Sequence, residues 1–157
     1  MTLRSQILAP GLFAALCALG CGASEEKLPI EPLVPVGGKL LVDGKPLDGV
    51  VITFIPDGTK KGPGGSGTTD SAGAFTITDL HQKKPGLPVG KYKLTYSRRR
   101  LPDGSAAPAL EPGATPDPAK IQVETFPDHL TTPNPNNQTE IPAGGKADLA
   151  LSISTKG

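Results

Sequence analysis

Glycine and proline interrupt this chain so often that long helices and long strands are excluded from most of it. The sequence holds 20 glycines and 18 prolines in 157 residues. Proline cannot donate a backbone hydrogen bond and glycine weakens both helices and strands, so each favours a turn or the end of an element. Between these interruptions apolar residues alternate with polar ones, which is the period of a strand with one buried face. The pattern predicts short strands joined by turns.

No segment beyond Cys21 repeats apolar residues at the helical spacing over three turns, so we expect no helix longer than one turn. We predict an all-β fold, an antiparallel sandwich in which two sheets each bury one face. A turn at residues 70–73 predicts a hairpin between 68–69 and 74–78. The predicted inward residues are Val36, Gly38, Leu40, Val42, Val50, Ile52, Phe54, Phe75, Ile77, Tyr92, Leu94, Tyr96, Ala147, Leu149, Leu151 and Ile153.

The first 20 residues have the features of an export signal. One cation, Arg4, precedes an uncharged apolar run at residues 7–19, which is shorter than the roughly 20 residues that a helix needs to cross a bilayer. The run ends in Ala18-Leu19-Gly20-Cys21, which resembles the lipobox of bacterial lipoproteins. We therefore expect cleavage before Cys21 and lipidation of that cysteine. The alternative is an ordinary signal peptide, cut near Ala23.

Cleavage at this point would leave a neutral chain with one cysteine. It removes Arg4 and no acid, so 15 basic and 15 acidic residues remain. A nucleic-acid-binding protein usually has a basic excess, and an exported protein that depends on disulfides has several cysteines. We therefore expect no nucleic-acid partner and no disulfide framework. The predicted organisation is a signal peptide at 1–20, a lipidated cysteine with a proline-rich tether at 21–35, and a domain at 36–154.

The order of turn and strand signals in residues 36–154 resembles the carboxypeptidase-regulatory-like domain, in the form common among small bacterial lipoproteins. The resemblance implies a seven-stranded Greek-key sandwich similar to transthyretin (prealbumin), acting as a binding or structural module without catalytic residues. Two inserts, at 57–67 and 97–118, depart from the family pattern. The motifs are Val36-x-Gly38-x-Leu40-x-Val42-Asp43-Gly44-Lys45-Pro46-Leu47, Ile52-x-Phe54-x-Pro56, Thr69-Asp70-x-x-Gly73-x-Phe75 and Pro88-x-Gly90-x-Tyr92.

The sequence predicts no catalytic residue, no metal site and no cofactor. The glycine-rich stretch at 62–67 lacks the Lys-Ser/Thr of a phosphate-binding loop and the second glycine of a nucleophile elbow, so we interpret it as a flexible insert. His81 and His129 are far apart in predicted loops, and only Cys21 could join them at a zinc site.

Arg98, Arg99 and Arg100 form the one dense run of charge in the sequence. One interpretation is a contact with an anionic surface such as lipid head groups, peptidoglycan or polysaccharide. The other is a solvated strand end that discourages edge pairing. The following residues, through 118, are rich in proline and predict a mobile, dispensable loop.

These features predict an exported, non-enzymatic protein of the cell envelope, attached through Cys21 to the bacterial outer membrane. Gly22 follows the cysteine, so the aspartate that usually retains a lipoprotein at the inner membrane is missing. We expect a structural module or one that binds an envelope protein or polysaccharide. The alternative is an exported hydrolase or small-ligand carrier that uses loop residues around His81 and His129.

Overall fold

A computed structural model describes residues 28–59, 61–106 and 121–156, and in these ranges the chain forms short strands and one helix of a single turn. The fold is therefore all-β, as the alternation predicts. The elements in chain order are β1 (Leu33–Val34), β2 (Val36–Val42), β3 (Lys45–Pro46), β4 (Val51–Pro56), β5 (Gly65–Thr68), β6 (Ala74–Thr76), β7 (Thr78–Asp79), β8 (Leu87–Pro88), β9 (Gly90–Ser97), β10 (Arg99–Arg100), β11 (Val123–Glu124), α1 (Asp128–Thr131), β12 (Gln138–Ile141) and β13 (Lys146–Ile153).

Two main sheets carry the fold. In the larger sheet five antiparallel strands follow the order β12-β9-β4-β5-β7. In the smaller sheet β2 pairs with β13 on one side and with β3 and β6 on the other. Two ribbons, β1 with β8 and β10 with β11, extend from the ends of the sheets.

One pairing is parallel, which the antiparallel prediction did not include. Leu149 of β13 lies opposite Gly38, and Ile153 lies opposite Val42. The reason is the short link between Ile141 and Lys146, five residue steps that span at most about 18 Å. A chain leaving β12 at the end where β2 begins cannot reach the other end of the sheet in that distance, so β13 starts beside the start of β2.

The apolar faces of both sheets contribute to one core. Most of the predicted inward residues are buried in it, including all the apolar ones on β2, β4 and β9. On β13, Leu149 is buried while Leu151 and Ile153 are partly buried. Ala147 is exposed, contrary to the prediction, because the register of β13 shifts between Lys146 and Leu149 and reverses the alternation there.

The predicted hairpin at 68–78 is only partly right. The turn is present, with the Asp70 Oδ1 atom accepting hydrogen bonds from the backbone N–H groups of Ala72 and Ala74. The strand that follows does not continue along β5, however. Its first part, β6, pairs with β2 in the smaller sheet, and its second part, β7, pairs with β5 in the larger one. The chain crosses between the sheets because Ile77 is fully buried between them.

The predicted inserts are also shorter than expected. The glycine-rich end of the 57–67 segment is β5, an inner strand of the larger sheet, so the flexible-loop interpretation is wrong for residues 65–67. The 97–118 segment includes β10, which pairs with β11, so its first residues are not a free loop. Residues 107–118 lie outside the described ranges.

The predicted tether likewise ends sooner than residue 35. Leu33 and Val34 pair with β8 as β1, and the Gln82 Nε2 atom donates a hydrogen bond of 2.7 Å to the Glu31 carbonyl. The chain is thus attached to the domain from about residue 31 onward, because β8 offers backbone partners that a sequence pattern does not reveal.

The strand directions define two ends of the domain. We call the end where β2 and β9 begin the N-terminal pole; it holds β1, β8 and residues 79–86. We call the end where β2 and β9 finish the arginine pole; it holds β10, β11 and the last described residues, 154–156. The two poles are about 20 Å apart, the length of a seven-residue strand.

Candidate functional site

The arginine run and the carboxylates around it form the most densely charged site among the described residues. β9 places Arg98 just past its end, and β10 continues through Arg99 and Arg100. The facing side chain is Asp48, which follows β3 in the turn before β4. Some 50 residues therefore separate the two halves of the site, and only the fold brings them together.

Asp48 binds two of the three arginines. Its Oδ1 atom lies 3.1 Å from the Arg98 Nη2 atom, and its Oδ2 atom lies 2.7 Å from the Arg100 Nη2 atom. Both guanidinium groups also donate to the Asp48 backbone carbonyl, over 2.9 and 3.1 Å. The hydrogen bond from Arg98 and the charges of both arginines lower the pKa of the Asp48 carboxyl below its ordinary value.

The three arginines differ in their exposure. The Arg100 side chain is only 9% exposed, whereas that of Arg99 is 69% exposed and its Nε atom lies 4.0 Å from the Glu124 carboxylate. Arg100 is therefore a packed structural side chain and Arg99 a solvated one. The sequence led to two expectations for this run: contact with an anionic surface, or a solvated strand end. Arg98 and Arg100 fit neither of them, because both bind Asp48.

Glu124 organises the backbone on the other side of this site. Its carboxylate accepts hydrogen bonds from the Ser97 hydroxyl and from the backbone N–H groups of Arg98, Thr125 and Phe126. Burial opposes ionisation of this carboxyl, but the hydrogen bonds from Ser97 and the backbone outweigh it and lower its pKa. The carboxylate thereby fixes β11 against the end of β9.

A groove of about 460 Å³ lies beside these charges. Its apolar surface comes from Val42, Leu47 and Phe126, and its polar rim includes Lys45 and Arg98. A concave, mostly apolar surface with a few polar groups is the common form of a ligand site. The groove opens at the arginine pole, away from the N-terminal pole.

The residues weighed for metal or hydrolytic chemistry do not meet. His81 is exposed at the N-terminal pole, next to Gln82. His129 is exposed at the arginine pole, where its Nε2 atom lies 3.3 Å from the Ser154 carbonyl. Within the described ranges no three His, Cys, Asp or Glu side chains are grouped closely enough to hold a metal ion. Cys21, the predicted lipidation site, lies outside those ranges.

Asp48 is the residue that inspection of the sequence missed. Its neighbours Leu47 and Gly49 indicate only a turn, and no local pattern connects an acid there to arginines 50 residues later. A paired acid is identifiable in this case only from the strand order, because β4 and β9 are neighbours and carry their preceding and following loops to the same pole.

Comparison with protein-family models, with curated proteins and with solved structures finds no match to this chain. In the part of the chain that the structure describes, no helix has the length and apolar character to span a membrane.

Proposed function

We propose that this chain is a non-enzymatic protein of the bacterial cell envelope, held to the outer membrane by lipid on Cys21. In this proposal its domain is a seven-stranded Greek-key sandwich similar to transthyretin, and it acts as a structural module or binds an envelope protein or polysaccharide. The two main sheets with a shared core are in keeping with that architecture.

The observation that supports the proposal best is the position of the lipobox relative to the domain. Only residues 22–30 separate Cys21 from Glu31, where the chain is hydrogen-bonded to the domain. The chain joins the domain at the N-terminal pole, while the groove and the arginine site lie at the opposite pole. A lipid at Cys21 would hold the N-terminal pole close to the membrane and turn the groove outward. This arrangement suits the presentation of a binding surface.

The proposed orientation also changes the role that we assign to the arginine run at residues 98–100. Arg98 and Arg100 are occupied by Asp48 at the pole that would face away from the membrane. We therefore propose Arg99 alone as a contact for an anionic envelope partner, such as a polysaccharide or an acidic protein surface, and exclude the lipid head groups of the anchoring membrane from this role.

The test of the anchor is a pair of cysteine substitutions in cells fed a labelled fatty acid. We expect Cys21→Ser to abolish acyl labelling and to release the protein into the soluble exported fraction, because the only acceptor for the lipid is lost. Cys17→Ser is the matched control and should change neither the labelling nor the fractionation. A Cys21→Ser protein that remains labelled and membrane-bound would contradict the proposal.

A further inference from the structure

The N-terminal pole carries exposed lysines next to exposed apolar side chains. Lys83 and Lys84 are both exposed, and among the described residues neither forms an ion pair. Ile30 is 81% exposed and Leu80 is 46% exposed. Large apolar side chains beside cations are typical of surfaces that contact the interfacial region of a membrane.

Hydrogen bonds hold the loop that carries these lysines in a fixed shape. The buried carboxylate of Asp79 accepts from the backbone N–H groups of His81 and Gln82, over 3.0 and 2.6 Å. The backbone of Asp79 also accepts from the Lys83 N–H and donates to the Lys84 carbonyl, both over 2.9 Å. The two lysines therefore project from a rigid turn, and the acid at its centre faces inward, away from any surface that the turn would contact.

The same loop is joined to the segment that leads to Cys21. The Gln82 Nε2 atom donates a hydrogen bond to the Glu31 carbonyl of that segment. Leu28 and His81 line one small cavity at this pole. The lysines, the exposed apolar side chains and the start of the described chain thus share one end of the domain.

The length of the intervening chain limits how far this end can move from a lipid at Cys21. Ten residue steps lead from Cys21 to Glu31, where the chain is attached to the domain, so a fully extended connection reaches about 35 Å. Any slack brings the pole nearer. Anionic lipid head groups attract lysines that come within a Debye length of the surface, about 8 to 10 Å.

We infer that the N-terminal pole is a membrane-docking surface, in which Lys83 and Lys84 contact anionic lipid head groups while Ile30 and Leu80 enter the interfacial region. The occupant is the surface of the membrane that holds the anchor. This inference rests on the proposed lipidation of Cys21, and it adds that the domain lies against the lipid in one orientation instead of rotating freely on its connection.

The test uses the lipidated protein in vesicles of phosphatidylcholine with or without phosphatidylglycerol, containing a head-group spin label. A fluorophore is attached at His81→Cys on the N-terminal pole or, as the control position, at Ser71→Cys in the exposed turn before β6. We expect the spin label to quench the His81→Cys fluorophore several-fold more strongly than the Ser71→Cys fluorophore, and this difference to grow with the anionic lipid. Equal quenching at the two positions would overturn the inference.

A charge reversal separates docking from mere proximity. The double substitution Lys83→Glu with Lys84→Glu should lower the docked-to-undocked ratio by roughly fivefold or more for each lysine and reduce the quenching difference accordingly. The matched control, Lys45→Glu with Lys156→Glu, makes the same change of charge at the arginine pole and should leave the quenching difference unchanged. Unchanged quenching after the reversal at 83 and 84 would overturn the inference.

Failure of docking and failure of the anchor give different results. A protein that carries acyl label and floats with the vesicles, but shows equal quenching at both positions, refutes docking alone. A protein without acyl label refutes the proposed anchor. Circular dichroism of each variant confirms that the domain is folded before quenching is compared.

Discussion

Two glycines of β5 show how a single missing side chain allows two strands to approach. A Cβ atom at Gly65 would lie 2.5 Å from the Leu87 Cδ2 atom, and one at Gly67 would lie 2.2 Å from the Thr76 carbonyl oxygen. Both distances are far shorter than ordinary van der Waals contact. The glycines of this segment therefore serve close packing, and neither residue needs the left-handed backbone that usually accounts for a glycine in a turn.

At this scale the substitution Gly67→Ala is expected to lower the free energy of unfolding by about 1 to 3 kcal/mol, because the methyl group must displace the backbone of residue 76. Gly144→Ala is the matched control: a Cβ atom there meets nothing within 4 Å, so the change should stay within about 0.5 kcal/mol. Denaturant unfolding monitored by circular dichroism measures both. If the two variants were equally stable, the close approach of β5 to residue 76 would be wrong.

Among the elements, the β10–β11 ribbon shows that a charged segment can be structural. Arg100 packs against Gly49, where an added Cβ would lie 2.6 Å from the guanidinium, and it pairs with Asp48 on an otherwise polar surface. The carboxylate is 54% exposed, so the ion pair itself contributes little and most of the effect comes from the packed arginine stem. The ribbon is thus fastened to the turn that precedes β4.

For this element we expect Arg100→Ala to destabilise the domain by roughly 1 to 3 kcal/mol, through loss of packing and of the Asp48 contacts. Arg99→Ala, at the exposed neighbouring position, should change stability by less than about 0.5 kcal/mol. Thermal or denaturant unfolding at neutral pH compares the two. If Arg100→Ala and Arg99→Ala were equally stable, the packed, structural role of Arg100 would be wrong.

The contact between Asp48 and Arg100 gives the stability of the domain a pH dependence with a definite sign. The pKa of Asp48 is lowered in the folded state, so its pairing contributes stability above the ordinary carboxyl pKa of about 4, and this contribution is lost as the pH falls through the lowered folded value. The stability difference between the unsubstituted protein and Arg100→Ala should therefore narrow slightly in acid, because the exposed ion pair contributes little and the variant keeps Arg98, the larger cause of the lowered pKa. A difference that widened below pH 4 would contradict the pairing.

For the molecule as a whole, closure of the smaller sheet joins the two ends of the described chain. β13 pairs with β2 along its length, and the Asp43 carboxylate accepts hydrogen bonds from the hydroxyls of Ser154 and Thr155, 111 and 112 residues away. Pairing of segments so far apart has a large entropic cost of loop closure unless the intervening chain has already folded. The integrity of the domain therefore depends on its last strand.

We expect Leu149→Ala, at a position only 6% exposed, to lower the free energy of unfolding by roughly 2 to 5 kcal/mol, through lost burial and the cavity that remains. That is a large share of the stability of a small domain, about 5 to 15 kcal/mol. Leu151→Ala removes the same atoms from a partly buried site and should cost clearly less. Urea unfolding of both variants tests the register of β13. A larger loss of unfolding free energy in Leu151→Ala than in Leu149→Ala would contradict this register.

Much of the core was predictable from the sequence because the face of a strand on which a side chain lies is a local property. Alternation identified the buried residues of β2, β4 and β9, and the Asp70–Gly73 turn was identified by its residue types. The resemblance of residues 18–21 to a lipobox and the lack of charge excess are likewise visible in the sequence without a fold. They are the basis of the proposed anchor and of the expectation that the protein has no nucleic-acid partner.

Only the tertiary structure decided which strands pair and which side chains from distant segments meet. The parallel direction of β13 follows from the short link after β12, and the change of sheet between β6 and β7 follows from the burial of Ile77. The Asp48 contacts with Arg98 and Arg100 and the hydrogen bond from Gln82 to Glu31 join segments about 50 residues apart. Sequence periodicity does not predict such contacts, because they depend on strand order and on the geometry of the two poles.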